Sequence, residues 1–163
     1  MGKLFVIWGP SGAGKTSLVI EVLKELKDLY NLTKVVTYTT RSKRPSEVDG
    51  VDYYFITRDE FLKKKLSGFF LESSDSYGSL YGSPASILED LDKGYSFIMI
   101  VDLEGAVRLR IAMPNAVFIK IEVTNPSTLK DRLCNRGSEK KQDIERRLLV
   151  NSAELSREKE LSF

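Results

Sequence analysis

The sequence predicts an α/β fold: a mainly parallel sheet flanked by helices on both faces, carrying a strand-rich insertion. Short apolar runs at 4–8, 96–101 and 116–123 alternate with segments whose apolar residues recur at helical spacing. A glycine-rich loop joins the first run to the first helical segment. Between 33 and 83 polar, tyrosine-rich strands and turns replace the long apolar runs, which marks an insertion beside the main sheet.

Leu4 to Trp8 is apolar throughout, stops at Gly9 and reads as the first strand. From Thr16 onward Leu18, Val19, Val22, Leu23, Leu26 and Leu29 recur with the period of a helix. Lys34 to Thr40 is β-rich and leads into the basic segment Arg41-Ser42-Lys43-Arg44, then a polar turn reaching Gly50. Tyr53 to Thr57 reads as a strand, and a short helix opening near Arg58 and Asp59 ends at Gly68. Phe69 to Ser74 predicts another strand, and Asp75 to Pro84, mixing glycine, serine and tyrosine, a loop-rich binding region. Ala85 to Leu91 predicts a helix that Gly94 stops, and Ser96 to Val101 a buried strand with Asp102 at its tip. Glu104 to Ala112 reads as helical and Ala116 to Val123 as a strand. A basic helix follows from Ser127 to Arg136, and a last helix from about Gln142 carries Ile144, Leu148, Leu149 and Leu155.

With 163 residues, 42% hydrophobic and 29% charged, the chain has the balance of one soluble globular domain. No apolar run approaches the roughly 20 residues of a membrane span, and no secretory leader is visible, so neither a membrane nor secretion is expected. A single cysteine, Cys134, allows no internal disulfide and suits a reducing, cytoplasmic setting. The formal charge of +2 is too small to argue for nucleic acid as a partner. The absence of histidine removes the commonest general base and the commonest zinc ligand, while arginine, the bidentate partner of phosphate, is well represented.

Gly9-Pro10-Ser11-Gly12-Ala13-Gly14-Lys15-Thr16 satisfies G-x-x-x-x-G-K-[ST] between a strand and an amphipathic helix. In such a loop backbone N–H groups face phosphate oxygens and the helix N-terminus adds its positive end. Lys15 is then expected to reach the β and γ phosphates of a nucleoside triphosphate, and the Thr16 hydroxyl to hold Mg²⁺, with Ser17 completing the nucleotide-binding stretch. The loop alone leaves the reaction open among switch GTPases, motors and small-molecule kinases. No guanine-reading Asn-Lys-x-Asp segment of a GTPase is present.

A second constellation narrows the choice. Thr37-Tyr38-Thr39-Thr40-Arg41-Ser42-Lys43-Arg44-Pro45, Glu47, Gly50, Asp52 and Tyr53, then Glu72, then Tyr81-Gly82-Ser83, resembles the guanosine monophosphate site of guanylate kinases in order and spacing. Chemically, Arg41 and Arg44 offer forked donors and Tyr53 and Tyr81 offer hydroxyls, a suitable set for a monophosphate dianion. Glu72, an acceptor-only carboxylate, can take both the ring N–H and the amino group on guanine's edge, and would reject adenine. Thr37 and Ser83 offer hydroxyls to the rest of the base. By the family pattern Asp102 faces guanine's amino group, with a magnesium role through water as the competing assignment. The chain departs from the family at Ile100, where relatives usually carry a further acid, at Glu104, where they usually carry glutamine, and at Tyr38.

The resemblance implies a P-loop kinase core at 1–32, a GMP-binding insertion at 33–83, core again at 84–124, a helical lid at 125–147 and a core helix at 148–163. It places Arg132, Arg136 and Arg147 in the lid over the triphosphate, and names Lys15, Arg41, Arg132 and Arg147 as the catalytic set. It implies ATP and GMP as substrates, Mg²⁺ carried with ATP, no nucleic acid, no membrane, and a monomer or homodimer. It also implies a further strand and helix beyond Phe163; a chain without them is expected to expose a sheet edge and to be less stable. Two other readings remain open at this level: an interaction module of the same fold without catalysis, and a kinase of the same fold for another phosphorylated acceptor.

Overall fold

The computed structural model describes residues 2–123. Strand β1 (Leu4–Trp8) leads into helix α1 (Lys15–Tyr30), and β2 (Leu32–Lys34) returns beside it. The insertion contains β3 (Thr37–Thr39), β4 (Tyr53–Phe55), α2 (Arg58–Leu66), β5 (Phe70–Ser76) and β6 (Ser79–Pro84). Then follow α3 (Ile87–Asp92), β7 (Ser96–Ile100), α4 (Leu103–Ala112) and β8 (Val117–Lys120).

Two four-stranded sheets result. The main sheet runs β2-β7-β1-β8, with every pair parallel, and its two central strands, β7 and β1, read as apolar runs because helices cover both of their faces. Alternation along β1 sends Leu4, Val6 and Trp8 to one face, where they pack with Leu91, Leu103, Ala106 and Leu109 of α3 and α4. Ile7 points to the other face and meets Val19 of α1 with Leu32 and Ile98. Among the described residues, β2 and β8 form the edges of this sheet.

The second sheet runs β4-β3-β6-β5, with β3 parallel to β4 and antiparallel to β6. The run expected from Lys34 to Thr40 is therefore two strands in two sheets, parted at Val35 and Val36. The domain boundary expected at 33 falls inside β2, which pairs with β7 of the main sheet. Residues 75–84, expected as a loop-rich stretch, are instead the end of β5 and the whole of β6. The turn between them places Tyr77 (φ 56°) and Gly78 (φ 78°) in the left-handed region that tight hairpins require. Its strands face polar groups inward, so no apolar alternation marks them in the sequence. The expected strand at 116–123 is shorter, and the lid at 125–147 and helix at 148–163 lie outside the described residues.

Helix α2 backs the insertion sheet. A reciprocal capping box starts it: Glu60 N donates to Thr57 Oγ1, and Thr57 N donates to Glu60 Oε2. Phe61, almost wholly buried, stacks on Phe70 with ring centroids 4.5 Å apart. Removing that ring leaves a cavity under β5 and β6. Phe61→Ala is expected to lower stability by about 3–5 kcal/mol, read from the denaturation midpoint.

Candidate active site

The glycine loop closes the C-terminal end of β1 and delivers the chain into α1. Gly14 is the residue before the helix and adopts φ 91°, ψ 15°, a left-handed geometry that favours glycine. No side chain caps α1, and an uncapped helix N-terminus is suited to an anion. Lys15 folds over the loop, its Nζ donating to the carbonyls of Gly9 (2.6 Å) and Pro10 (2.9 Å). Thr16 and Ser17 are exposed on the first turn.

Facing the loop across one cavity stands the inner side of the insertion. The cavity is lined by Gly9, Ser11, Gly12, Gly14, Lys15 and Thr16 on one side, by Thr37, Arg41, Arg44, Tyr53, Glu72 and Tyr81 on the other, and by Asp102 at its floor. The fold thus brings together the two constellations read separately from the sequence. Pro10, Ala13, Ser17 and Ser83 are not among its lining residues. Arg132, Arg136 and Arg147 lie outside the described residues.

The two arginines are held by an acid to which the sequence reading gives no role. Glu47 Oε1 is 2.7 Å from Arg41 Nη2 and 3.5 Å from Arg44 Nη1, while Glu47 Oε2 accepts from the backbone N–H of Arg44 at 2.8 Å. Burial works against the charge on Glu47, but the hydrogen bonds from Arg41 and from the Arg44 backbone outweigh it and hold the carboxyl below its ordinary range. Arg41 also lies over the ring of Tyr53, 5.4 Å from its centroid. The signal in the sequence was an acid three residues after Arg44 within a polar turn.

At the other end of the cavity sit two carboxylates. Glu72 is buried, its Oε1 accepts from Ser83 Oγ at 2.7 Å, and its Oε2 has no hydrogen-bond partner. Ser83, expected to face the base, is fully buried and contacts Glu72: register pairs residue 72 directly with 83 across the hairpin. Asp102 is the N-cap of α4, its Oδ1 accepting from Gly105 N at 2.8 Å, and its Oδ2 accepts from Ser74 Oγ at 2.9 Å. A Cβ at Gly105 would stand 3.2 Å from both Glu72 Oε2 and Asp102 Oδ1, so the bare glycine lets the first turn of α4 approach both acids. Burial, with Asp102 adding to it against the Ser83 hydrogen bond, pushes the Glu72 carboxyl up to about 7. Ser74 and Ser76, which the sequence reading passes over, also line the cavity. Their spacing with Glu72 along one strand face was the available signal.

The metal expectation rests on Thr16, which lines the cavity beside the glycine loop. Ile100, also lining it, offers no oxygen, and among the described residues no cluster of three acidic, histidine or cysteine side chains exists. This donor set fits an ion that arrives on phosphate oxygens and keeps several waters, the usual habit of Mg²⁺.

A protein-family model described as guanylate kinase matches residues 1–163. The chain belongs to the guanylate kinase family. Among its relatives, the guanylate kinase of Thermotoga maritima is 45% identical over 144 residues, covering 88% of this chain and 68% of that one. The guanylate kinase of Pseudomonas fluorescens is 41% identical over 157 residues, covering 95% and 74%. The crystal structure of guanylate kinase from Anaplasma phagocytophilum superposes with a TM-score of 0.70 at 27% identity, covering 96% of this chain and 86% of that chain. The guanylate kinase fold is therefore the one described above, two sheets with the loop of one facing the inner side of the other.

The Glu72 geometry has a measurable cost. Between the ordinary 4.5 and about 7, the folded chain keeps a proton that the unfolded chain has released. Stability from this site is fully present below pH 4.5 and lost as pH rises through 7, a fall of about 3 kcal/mol. Glu72→Gln, which cannot ionise, is expected to flatten that part of the stability curve, measured by denaturant melts of the ligand-free protein from pH 4 to 8.

Proposed function

We propose that this guanylate kinase family member transfers the γ-phosphoryl group of ATP to GMP, giving ADP and GDP. The single observation that carries the reading is the shared cavity, with a phosphate loop on one wall and an arginine pair with two carboxylates on the other. ATP suits the loop, which leads into an α1 N-terminus that no side chain caps, and Lys15 is placed to leave its two carbonyls for the β and γ oxygens. Thr16 is the protein oxygen we assign to Mg²⁺ carried in with ATP, which would offset charge on the phosphate chain. The acceptor phosphate takes Arg41 and Arg44, with Tyr53 and Tyr81 beside them. Burial keeps the Tyr53 phenol protonated and able to donate, its pKa raised. Glu72 Oε2 accepts from the base edge.

The chemistry requires no general base. An oxygen of the GMP phosphate, already ionised near neutral pH, forms the new bond to the γ-phosphorus while the bridging oxygen leaves with ADP. What the chain must do is hold two polyanions in line and offset their charge. Lys15 and Arg41 serve here, and Arg132, Arg136 and Arg147 are assigned the same task by the family pattern. The reading carries with it a cytoplasmic location, consistent with the single cysteine.

A coupled ADP-release assay with MgATP and GMP, AMP, UMP or no acceptor tests this. GMP alone is expected to drive release. Lys15→Ala should lower kcat by on the order of 10²-fold or more, and Arg41→Ala should raise KM for GMP by about tenfold or more. GMP binding without ADP release would overturn the enzyme in favour of an interaction module.

A further inference from the structure

We infer that Ser74 is a specificity-determining residue of the acceptor pocket, its oxygen accepting from an amino group at purine position 2. This rests on the reading that the acceptor is GMP. Ser74 follows Glu72 by two positions on β5, so the pleat puts both side chains on one face, and both line the cavity. A hydroxyl has one proton and two lone pairs. The Ser74 proton goes to Asp102 Oδ2 at 2.9 Å. Asp102 is an acceptor on both oxygens, and its orientation is fixed by the α4 cap at Gly105 N. The buried Ser74 oxygen therefore has only lone pairs left to offer the cavity.

Next to it, Glu72 Oε1 already holds the Ser83 proton, and Oε2 is buried with no partner. Glu72 Oε2, Ser74 Oγ and the Asp102 carboxylate form a wall of acceptors on one side of the pocket. Guanine presents three N–H protons on the matching edge, one at ring position 1 and two on its amino group. Hypoxanthine lacks the amino group and leaves the Ser74 oxygen unmatched, xanthine sets a carbonyl oxygen against it, and adenine sets a ring lone pair against Glu72. The two carboxylates have the ring N–H and one amino proton to accept, and Ser74 Oγ is the acceptor left for the second amino proton at position 2.

Isothermal titration of GMP and IMP onto the full chain and onto Ser74→Ala, Ser74→Cys and Ser74→Thr tests this without requiring turnover. The alanine variant is expected to bind GMP about threefold to tenfold more weakly, the worth of one neutral hydrogen bond, and IMP within twofold of the original chain. Ser74→Cys keeps the volume but substitutes a poor acceptor, and should shift the GMP-to-IMP ratio in the same direction. Ser74→Thr, retaining the hydroxyl, should preserve the ratio. Equal weakening of GMP and IMP in the alanine and cysteine variants would overturn the inference and leave Ser74 as a strut for Asp102, as would no change for either ligand. Either result in a chain that still phosphorylates GMP removes Ser74 alone; GMP binding without turnover removes the phosphotransfer reading and leaves the binding ratio to decide Ser74.

Discussion

The burial of Glu72 between the insertion and the first turn of α4 is the constraint on which the pocket depends. A carboxylate there sits away from water, with one oxygen satisfied by Ser83 and the other buried and unpaired beside Gly105. Such a group costs free energy in the empty protein, which its raised pKa reports, and a ligand bearing N–H donors recovers that cost on binding. Asp102 makes the arrangement possible, because one side chain caps α4 through Gly105 and reaches the insertion through Ser74. The two sheets are thereby joined at the point where the base is proposed to lie.

Charge is distributed along the cavity in a matching order. Lys15, Arg41 and Arg44 stand where phosphates are proposed, and the carboxylates stand where the base is proposed. The cations are partnered without substrate: Lys15 by the Gly9 and Pro10 carbonyls, the arginines by Glu47. These contacts hold long side chains in the cavity, so less ordering remains to be done when phosphate replaces them. The folding cost of the site falls on the buried Glu72, whereas at Glu47 the contacts with Arg41 and Arg44 outweigh the cost of burial.

Much of the molecule was legible in its sequence where the deciding forces are local. Residues 4–8 and 96–100 read as strands because both faces of a parallel sheet are buried, and α1 read as a helix from its periodic apolar residues. Of the hairpin, Phe69 to Ser74 read as a strand, but the end of β5 and the whole of β6 did not, because their serine, glycine and tyrosine residues form a polar pattern that resembles a loop. Likewise the break at Val35 and Val36 leaves no mark, since the same β-favouring residues suit two strands as well as one.

At the site the same division holds. Taken alone, the sequence determined the glycine loop with Lys15 and Thr16, and the basic turn with Arg41 and Arg44, because each is a short segment whose geometry depends on its own residues. Only the tertiary structure decided that Ser83 supports Glu72 from behind, that Glu47 holds both arginines, and that Asp102 binds Ser74 across 28 positions of chain. Those partnerships follow from strand register and from the docking of α4 against β5, and both are set by packing between distant segments.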